Sequence, residues 1–236
     1  MLNALWPLAP AAAAGLLVCL LLLCRRGRPA LRSENELNQA IGLPMLAARP
    51  LAPQALSRQL LAHWFGRGRA ILAVVSPGRR DGRSRVAADL ARELARMGEP
   101  TLLIDADFRS PALHRAFGLA NRAGLADFLE GRAVRLAHCA ENLSVLVAGR
   151  SGADPLELLS RRRLQDLLAV VAKRYRVVLV DTPAAERGPD LQLFAAFGGG
   201  ALVVTRFASE IPSLERLRDL LVACKARVVG TVLNAA

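Results

Sequence analysis

The sequence predicts an α/β fold in which a parallel β-sheet carries helices on both faces. Apolar strand-like runs alternate with amphipathic helical patterns from about residue 70 onward. The runs at 71–75, 101–105 and 177–181 are almost continuously apolar, which is typical of parallel strands buried on both faces. The first run is followed by a glycine-containing loop and then a helical pattern. The chain has 236 residues, enough for one such domain and a short additional segment.

The apolar patterns define the expected elements. Strands are predicted near 70–76, 101–105, 143–148, 177–181, 200–205 and 227–233. Helices are predicted near 84–97, 111–117, 123–130, 157–173 and 212–223.

The loop after the first strand is the most informative feature of the chain. Residues 76–84 read SPGRRDGRS, and the helical pattern behind them runs from Val86 to Met97 and stops at Gly98. A glycine loop between a strand and a helix is the context of a phosphate-binding loop, because backbone N–H groups and the helix N-terminus attract anions. The position at which such loops carry lysine is Arg83.

Two acidic strand ends accompany the loop. Asp105 and Asp107 close one apolar strand, and Asp181 closes another. Ligands of parallel sheets bind at the carboxyl ends of the strands, so these carboxylates and the loop are expected in one crevice. Mg²⁺ prefers hard oxygen ligands, and the Ser84 hydroxyl with Asp107 and Asp181 would suit it. Each feature alone has an ordinary structural explanation, such as helix capping by an aspartate.

The motifs resemble those of a known family. GRS at 82–84, LIDADFR at 103–109 and VDTP at 180–183 resemble the Walker A, A′ and B motifs of bacterial tyrosine autokinases, and most closely the branch of exopolysaccharide chain-length-determinant kinases. DPLELL at 154–159 and GTVLN at 230–234 agree with this resemblance, which covers about residues 33–236. It implies a P-loop NTPase fold of the MinD/ParA type.

The resemblance also implies a site that uses ATP and Mg²⁺. The residues expected to bind the nucleotide are Gly78, Gly82, Arg83, Ser84, Arg85 and, at the adenine, Asn234. The residues expected to bind magnesium are Ser84, Asp107 and Asp181, and those expected to act in catalysis are Asp105, as base or water-positioning group, and Arg83.

The loop departs from the family pattern at two positions. Arg83 replaces lysine, keeps its positive charge and adds a longer, planar, forked group, so binding is expected to survive better than catalysis. Arg80 stands where the family usually has glycine. A positive φ at that position would cost about 1–2 kcal/mol, unless Gly78 absorbs the turn.

The family's autophosphorylated tyrosine cluster is missing from this sequence. The sole tyrosine, Tyr175, leads directly into the strand that ends at Asp181, and is interpreted as a packing residue rather than a substrate. A homo-oligomer is implied by the family, but the Glu-x-x-Arg-x-x-Arg helix that forms its rings is matched here by Leu51, Gln54 and Ser57.

The N-terminal region is expected to be a membrane anchor. Residues 1–24 carry no charged side chain, and three arginines follow within residues 25–28. A span needs about 20 apolar residues, and flanking arginines stay cytoplasmic, which predicts a single-pass bacterial inner-membrane protein with a cytoplasmic C-terminal domain. A cleaved signal peptide would carry its basic residues before the apolar segment. The predicted organisation is an anchor at 1–24, a juxtamembrane linker at 25–66 with a short helix capped by Ser33, and the nucleotide-binding domain at 67–236.

Composition restricts the partners. The net charge is +12, from 32 basic and 20 acidic residues, but the basic residues are spread along the chain and are almost all arginine. Such a spread indicates a compositional bias, so nucleic acid is not expected as a partner. The four cysteines and three histidines have no zinc-binding spacing.

Three functional hypotheses follow. The first is a membrane-anchored tyrosine-kinase-type ATPase that controls exopolysaccharide synthesis, polymer chain length or export with a polysaccharide co-polymerase or chain-length regulator. The second is a catalytically degenerate, nucleotide-binding scaffold for the same co-polymerase. The third is a ParA/MinD-type positioning ATPase. The Asn-Lys-x-Asp motif that reads guanine does not occur in the sequence.

Overall fold

The computed structural model describes residues 30–42, 45–48, 52–150, 152–160 and 162–234. The predicted anchor over 1–24 lies outside these residues. Among the residues described, no helix is both long enough and apolar enough to cross a bilayer.

A single sheet runs through the domain. Its strands are β1 (Met45–Ala48), β2 (Ile71–Val75), β3 (Thr101–Asp105), β4 (Ala137–Ala140), β5 (Leu143–Leu146), β6 (Val177–Asp181), β7 (Gly200–Arg206) and β8 (Arg227–Asn234). Within the described residues the order is β1-β8-β7-β2-β6-β3-β5-β4, with every pair parallel except the antiparallel pair of β4 and β5. The parallel pairing places the carboxyl ends of β2, β3 and β6 side by side.

Helices cover both faces of the sheet. They are α1 (Glu34–Ile41), α2 (Pro53–His63), α3 (Arg83–Arg96), α4 (Leu113–Ala116), α5 (Leu125–Leu129), α6 (Pro155–Leu159), α7 (Arg162–Arg174), α8 (Asp190–Gly198) and α9 (Ile211–Ala223). Short 3₁₀ turns lie at Phe65–Arg67 and Ala185–Arg187.

The side-chain alternation of the strands divides the core into two layers. Leu72 and Val74 of β2 pack in the layer that contains α2 and α3, whereas Ile71, Ala73 and Val75 pack in the layer that contains α1 and α5 to α9. Because both faces of the strand are buried, β2 has to be apolar at every position. The sheet is thereby a rigid base for the loop that follows β2.

The predicted α/β architecture is confirmed, with specific differences. All six predicted strands are present, and β1 and β4 are additional. The helix expected over 157–173 is two helices, α6 and α7, and neither α2 nor α8 was predicted.

The described part of the predicted linker packs into the domain. Ser33 caps α1 as expected, with its hydroxyl accepting from the Glu36 N–H at 3.2 Å. Further along, β1 pairs with β8, and Leu56 and Leu60 of α2 are buried against the sheet. The boundary between linker and domain near residue 66 stays a prediction, but the residues before it are part of the core.

Candidate functional site

The loop between β2 and α3 turns sharply at Gly82. Gly82 has φ +82°, and a Cβ at this position would lie 1.9 Å from Nδ2 of Asn234. That same nitrogen donates to the Asp81 carbonyl at 2.9 Å, so a side chain at the end of β8 is hydrogen-bonded to the loop backbone. Only glycine fits here. The predicted contact of Asn234 with adenine stays a prediction; its Nδ2 binds the loop backbone, and its buried Oδ1 has no hydrogen-bond partner in the described residues.

The strain expected at Arg80 does not occur. Arg80 is not among the described residues with positive φ, and neither is Gly78. The left-handed turn falls on Gly82 instead, at the N-terminus of α3. The Arg80 side chain is exposed, so an arginine is accommodated at this position without backbone cost.

The loop amides are bound to carboxylate oxygens. The Gly78 N–H donates to Oδ2 of Asp81 at 2.7 Å, and the Arg79 N–H donates to Oε1 of Glu186 at 3.0 Å. Asp81 is buried, and its other oxygen accepts from the Ser209 hydroxyl at 3.2 Å. Burial raises the pKa of Asp81 although its hydrogen bonds and nearby arginines oppose the rise. The backbone of this loop therefore offers N–H groups to oxyanions, with carboxylates of the chain as the present acceptors.

The Arg83 side chain joins the loop to both acidic strand ends. Its Nε donates to Oδ1 of Asp181 at 2.8 Å, and its Nη2 donates to Oδ2 of Asp107 at 3.0 Å. Its Nη1 donates to the Ser76 hydroxyl, also at 2.8 Å. Arg83 is only 6% exposed and Asp181 is fully buried. The guanidinium thus lies between the two carboxylates that the sequence predicted as magnesium ligands.

Asp105 is held beside this pair. It is in register with Asp181 on the neighbouring strand, and its carboxyl accepts backbone N–H groups of Asp107, Ala112 and Leu113 at 3.0–3.2 Å. Burial, and then the charge of Asp181, raise the pKa of Asp105 to about 7. Burial also raises the pKa of Asp181, against the opposing charge of Arg83. A carboxyl that titrates near neutral pH can take up or release a proton during a reaction.

The predicted magnesium ligands do not fit a metal ion in this arrangement. Asp107 and Asp181 both bind the Arg83 guanidinium, so magnesium would have to displace a buried, hydrogen-bonded cation. Across the described part of the chain, no group of three or more His, Cys, Asp or Glu side chains is placed to hold a metal ion. The role of Ser84, Asp107 and Asp181 as magnesium ligands stays a prediction.

A polar cavity of about 590 Å³ opens beside the loop, and Asp81, Glu186 and Glu210 are among its lining residues. Four arginines line it, two from the loop and two from the β7–α9 region: Arg79, Arg80, Arg206 and Arg216. No sequence motif pointed to Arg206, Arg216 or Glu186. The position of Arg206 at the carboxyl end of β7 was the available signal, because β7 is the neighbour of β2 in the sheet.

Of the predicted nucleotide-binding residues, the structure places Gly78, Gly82 and Arg83 in this loop and at the start of α3. Ser84 and Arg85 follow in the first turn of α3, with Ser84 half-buried and Arg85 exposed. The predicted catalytic residues Asp105 and Arg83 both neighbour Asp181, the first by strand pairing and the second by a hydrogen bond.

A parallel sheet with a glycine loop after its first central strand and acidic strand ends at the same edge is the architecture of the P-loop NTPase fold. The structure of MinD from Pyrococcus horikoshii in complex with Mg-ADP has the same fold, with a TM-score of 0.59 and 23% identity over 70% of this chain and 69% of that one. The kinase domain of the Escherichia coli tyrosine kinase Etk aligns more fully, with a TM-score of 0.81 and 23% identity over 87% of this chain and 95% of that one.

The chain belongs to the bacterial tyrosine-kinase family, whose named members are phosphoryl-transferring enzymes. It is 33% identical over 159 residues to the tyrosine-protein kinase YwqD of Bacillus subtilis, covering 65% of this chain and 67% of that protein. It is 34% identical to the putative tyrosine-protein kinase EpsB of Ralstonia nicotianae over 71% of this chain, but spans only 23% of that protein's length. The chimerical protein CapA2B2 has a TM-score of 0.76 and 27% identity over 86% of this chain and 98% of its own. No protein-family model matches the chain.

Proposed function

We propose that the chain binds ATP on the β2–α3 loop and transfers the γ-phosphoryl group to a tyrosine of a partner protein. The observation that carries this proposal is the pair of loop amides, Gly78 and Arg79, each bound to a carboxylate oxygen at the carboxyl edge of the sheet. Phosphate oxygens are the same kind of acceptor, and the N-terminus of α3 favours negative charge. The four arginines of the cavity beside the loop exceed its three carboxylates and would offset part of the charge of a triphosphate.

The acidic edge, formed by Asp105, Asp107 and Asp181 at the carboxyl ends of β3 and β6, would take part in the chemical step. Phosphoryl transfer breaks the bond between the γ-phosphorus and the β–γ bridging oxygen and forms a bond to the tyrosine oxygen, whose proton must leave. Asp105, with a pKa near 7, would accept that proton or position the hydroxyl group. Because two buried carboxylates hold the Arg83 guanidinium in place, it cannot move with the phosphoryl group as charge develops during transfer. We therefore expect turnover to be slow.

The acceptor would lie on another chain. Tyr175, the sole tyrosine of this sequence, is 9% exposed, and its hydroxyl donates to the Ser144 hydroxyl at 3.1 Å. A buried, hydrogen-bonded phenol supports the packing role. We propose a polysaccharide co-polymerase or chain-length regulator as the partner, in the synthesis of an exopolysaccharide, by resemblance to the family.

Phosphotransfer from radiolabelled ATP tests the kinase proposal. The chain is mixed with a cytoplasmic, tyrosine-containing segment of a polysaccharide co-polymerase. We expect slow labelling of the segment that Asp105→Asn abolishes. Asp89→Asn, the same chemical change on the outer surface of α3, should leave labelling unchanged. Labelling that persists in Asp105→Asn would remove Asp105 from the mechanism.

The location at the bacterial inner membrane is a separate part of the proposal, supported by the charge-free residues 1–24 and the arginines that follow. A reporter enzyme fused to the C-terminus should be active in the cytoplasm, and carbonate washing should leave the chain in the membrane fraction. Reporter activity in the periplasm, or release by carbonate, would contradict it.

The scaffold hypothesis is favoured by one observation. In the described residues the Arg83 guanidinium is engaged with two carboxylates, and the Gly78 and Arg79 amides are engaged with Asp81 and Glu186, so a nucleotide would have to displace contacts within the chain. A chain that binds ATP with no transfer to any partner would support the scaffold. The positioning-ATPase hypothesis is set aside because the sequence relatives are named tyrosine kinases.

A further inference from the structure

The Arg83 guanidinium bridges Asp107 and Asp181, the two carboxylates that the sequence predicted as magnesium ligands. It binds one oxygen of each carboxylate, at 3.0 and 2.8 Å, in a position that excludes nearly all solvent. A third contact to the Ser76 hydroxyl, within the loop itself, fixes the plane of the group. Two carboxylates, one cation and one loop hydroxyl are therefore linked in one buried cluster.

We propose that Arg83 takes the place of the divalent cation, so that this chain binds nucleoside di- or triphosphate without magnesium. The inference rests on the proposed nucleotide binding at the β2–α3 loop, and it concerns how the acidic edge of that site is neutralised.

The hydrogen-bonding capacity of arginine suits this role. A guanidinium has five N–H groups, of which three are used: one on Nε, one on Nη1 and one on Nη2. Each terminal nitrogen keeps one N–H for a further acceptor. Paired N–H groups in a rigid plane match the oxygens of a phosphate. Arg83 can thus bind the carboxylates on one side and phosphate oxygens on the other, as a bridging metal ion would.

Burial makes the guanidinium difficult to replace. Entry of magnesium would separate Arg83 from both carboxylates and leave a buried cation next to a divalent one. A lysine at this position would differ, because its compact ammonium group lacks the fork that binds Asp107, Asp181 and Ser76 together. The substitution Arg83→Lys should therefore open the carboxylates to a metal ion.

The test measures ADP binding to the full-length chain by calorimetry, once with magnesium and once with excess EDTA. For the wild type we expect the Kd to change by less than about threefold. For Arg83→Lys we expect EDTA to weaken binding by about tenfold or more. Arg96→Lys is the matched control, since Arg96 is exposed on α3 and pairs only with Glu93 within the described residues, and it should behave as the wild type.

A metal-binding measurement supplies a second readout. Electron paramagnetic resonance of Mn²⁺ mixed with the chain alone should show no bound ion for the wild type, and a bound ion for Arg83→Lys. If circular dichroism shows that Arg83→Lys is unfolded, the wild-type measurements decide by themselves.

The failures are distinguishable. Wild-type chain that binds ADP only with magnesium, or that binds Mn²⁺, would overturn the inference and leave the proposed nucleotide site intact. Absence of ADP binding in both buffers would overturn the inference and the nucleotide site together.

Discussion

Replacing Arg83 by methionine should strongly destabilise the domain. The substitution keeps most of the side-chain volume but removes the cation that binds Asp107 and Asp181, both of which are buried. Removing one partner of a buried ion pair costs about 3–5 kcal/mol, because the remaining charge has neither water nor a counterion. We expect a loss of this size in the free energy of unfolding, measured by urea denaturation with circular dichroism at neutral pH.

Two further variants give this prediction its controls. Arg96→Met removes an arginine from the exposed surface of the same helix and should change stability little. Adding Asp181→Asn to Arg83→Met should recover part of the loss, because the second change removes the orphaned charge. If Arg83→Met lowers the free energy of unfolding by less than about 1 kcal/mol, Arg83 is not buried between Asp107 and Asp181 as described. Only solvent-exposed ion pairs contribute so little to stability.

The remaining predictions concern the loop, the acidic edge and the tyrosine. Gly82→Ala should destabilise the domain by more than the about 1–2 kcal/mol of a left-handed backbone alone, because its Cβ meets the Asn234 amide. Gly98→Ala is the control, because Gly98 has φ +88° and open space around it, so this variant measures the backbone cost alone. If both variants lose the same free energy of unfolding in urea denaturation, the clash with Asn234 is contradicted. The free energy of unfolding should fall as pH rises from about 4 to 7 and then level off. The reason is that the pKa of Asp105 is raised from 3.8 to about 7 on folding, so the native state holds the extra proton in this range. The decline is at most about 4 kcal/mol, and Asp105→Asn should flatten it. An unchanged pH profile in this variant would show that the decline does not come from Asp105. Tyr175→Phe should cost about 1 kcal/mol, as expected for one buried hydrogen bond, and mass spectrometry of the chain from cells should find no phosphate on Tyr175. Stoichiometric phosphate there would contradict the packing role.

The parts of the fold that the sequence predicts are those that are apolar on both faces. β2, β3 and β6 read as continuous apolar runs because each is covered by helices above and below. The missed strands lie at the two edges of the sheet. β4 alternates between half-buried and exposed residues and contains no β-branched side chain, so its pattern is weak. β1 is short and depends on pairing with β8, which local sequence does not reveal.

The sequence predicted which residues lie at the candidate site but not which of them bind each other. Strand-end position was enough to bring Asp105, Asp107 and Asp181 together with the loop. The direction of the Arg83 side chain was not predictable in the same way, because its partners are 24 and 98 residues away and depend on the strand register. The substitution of lysine by arginine next to two acidic strand ends was the available signal, since only arginine can bind both carboxylates in one plane.

The central claim is that the β2–α3 loop receives the phosphates of a nucleotide, and a crystal structure of the chain with ADP tests it most directly. We predict that the β-phosphate binds at the N-terminus of α3 and that phosphate oxygens replace the Asp81 carboxylate on the Gly78 N–H. Arg83 should remain on Asp107 and Asp181. Phosphates bound elsewhere on the chain, with the contact between Gly78 and Asp81 intact, would contradict the account.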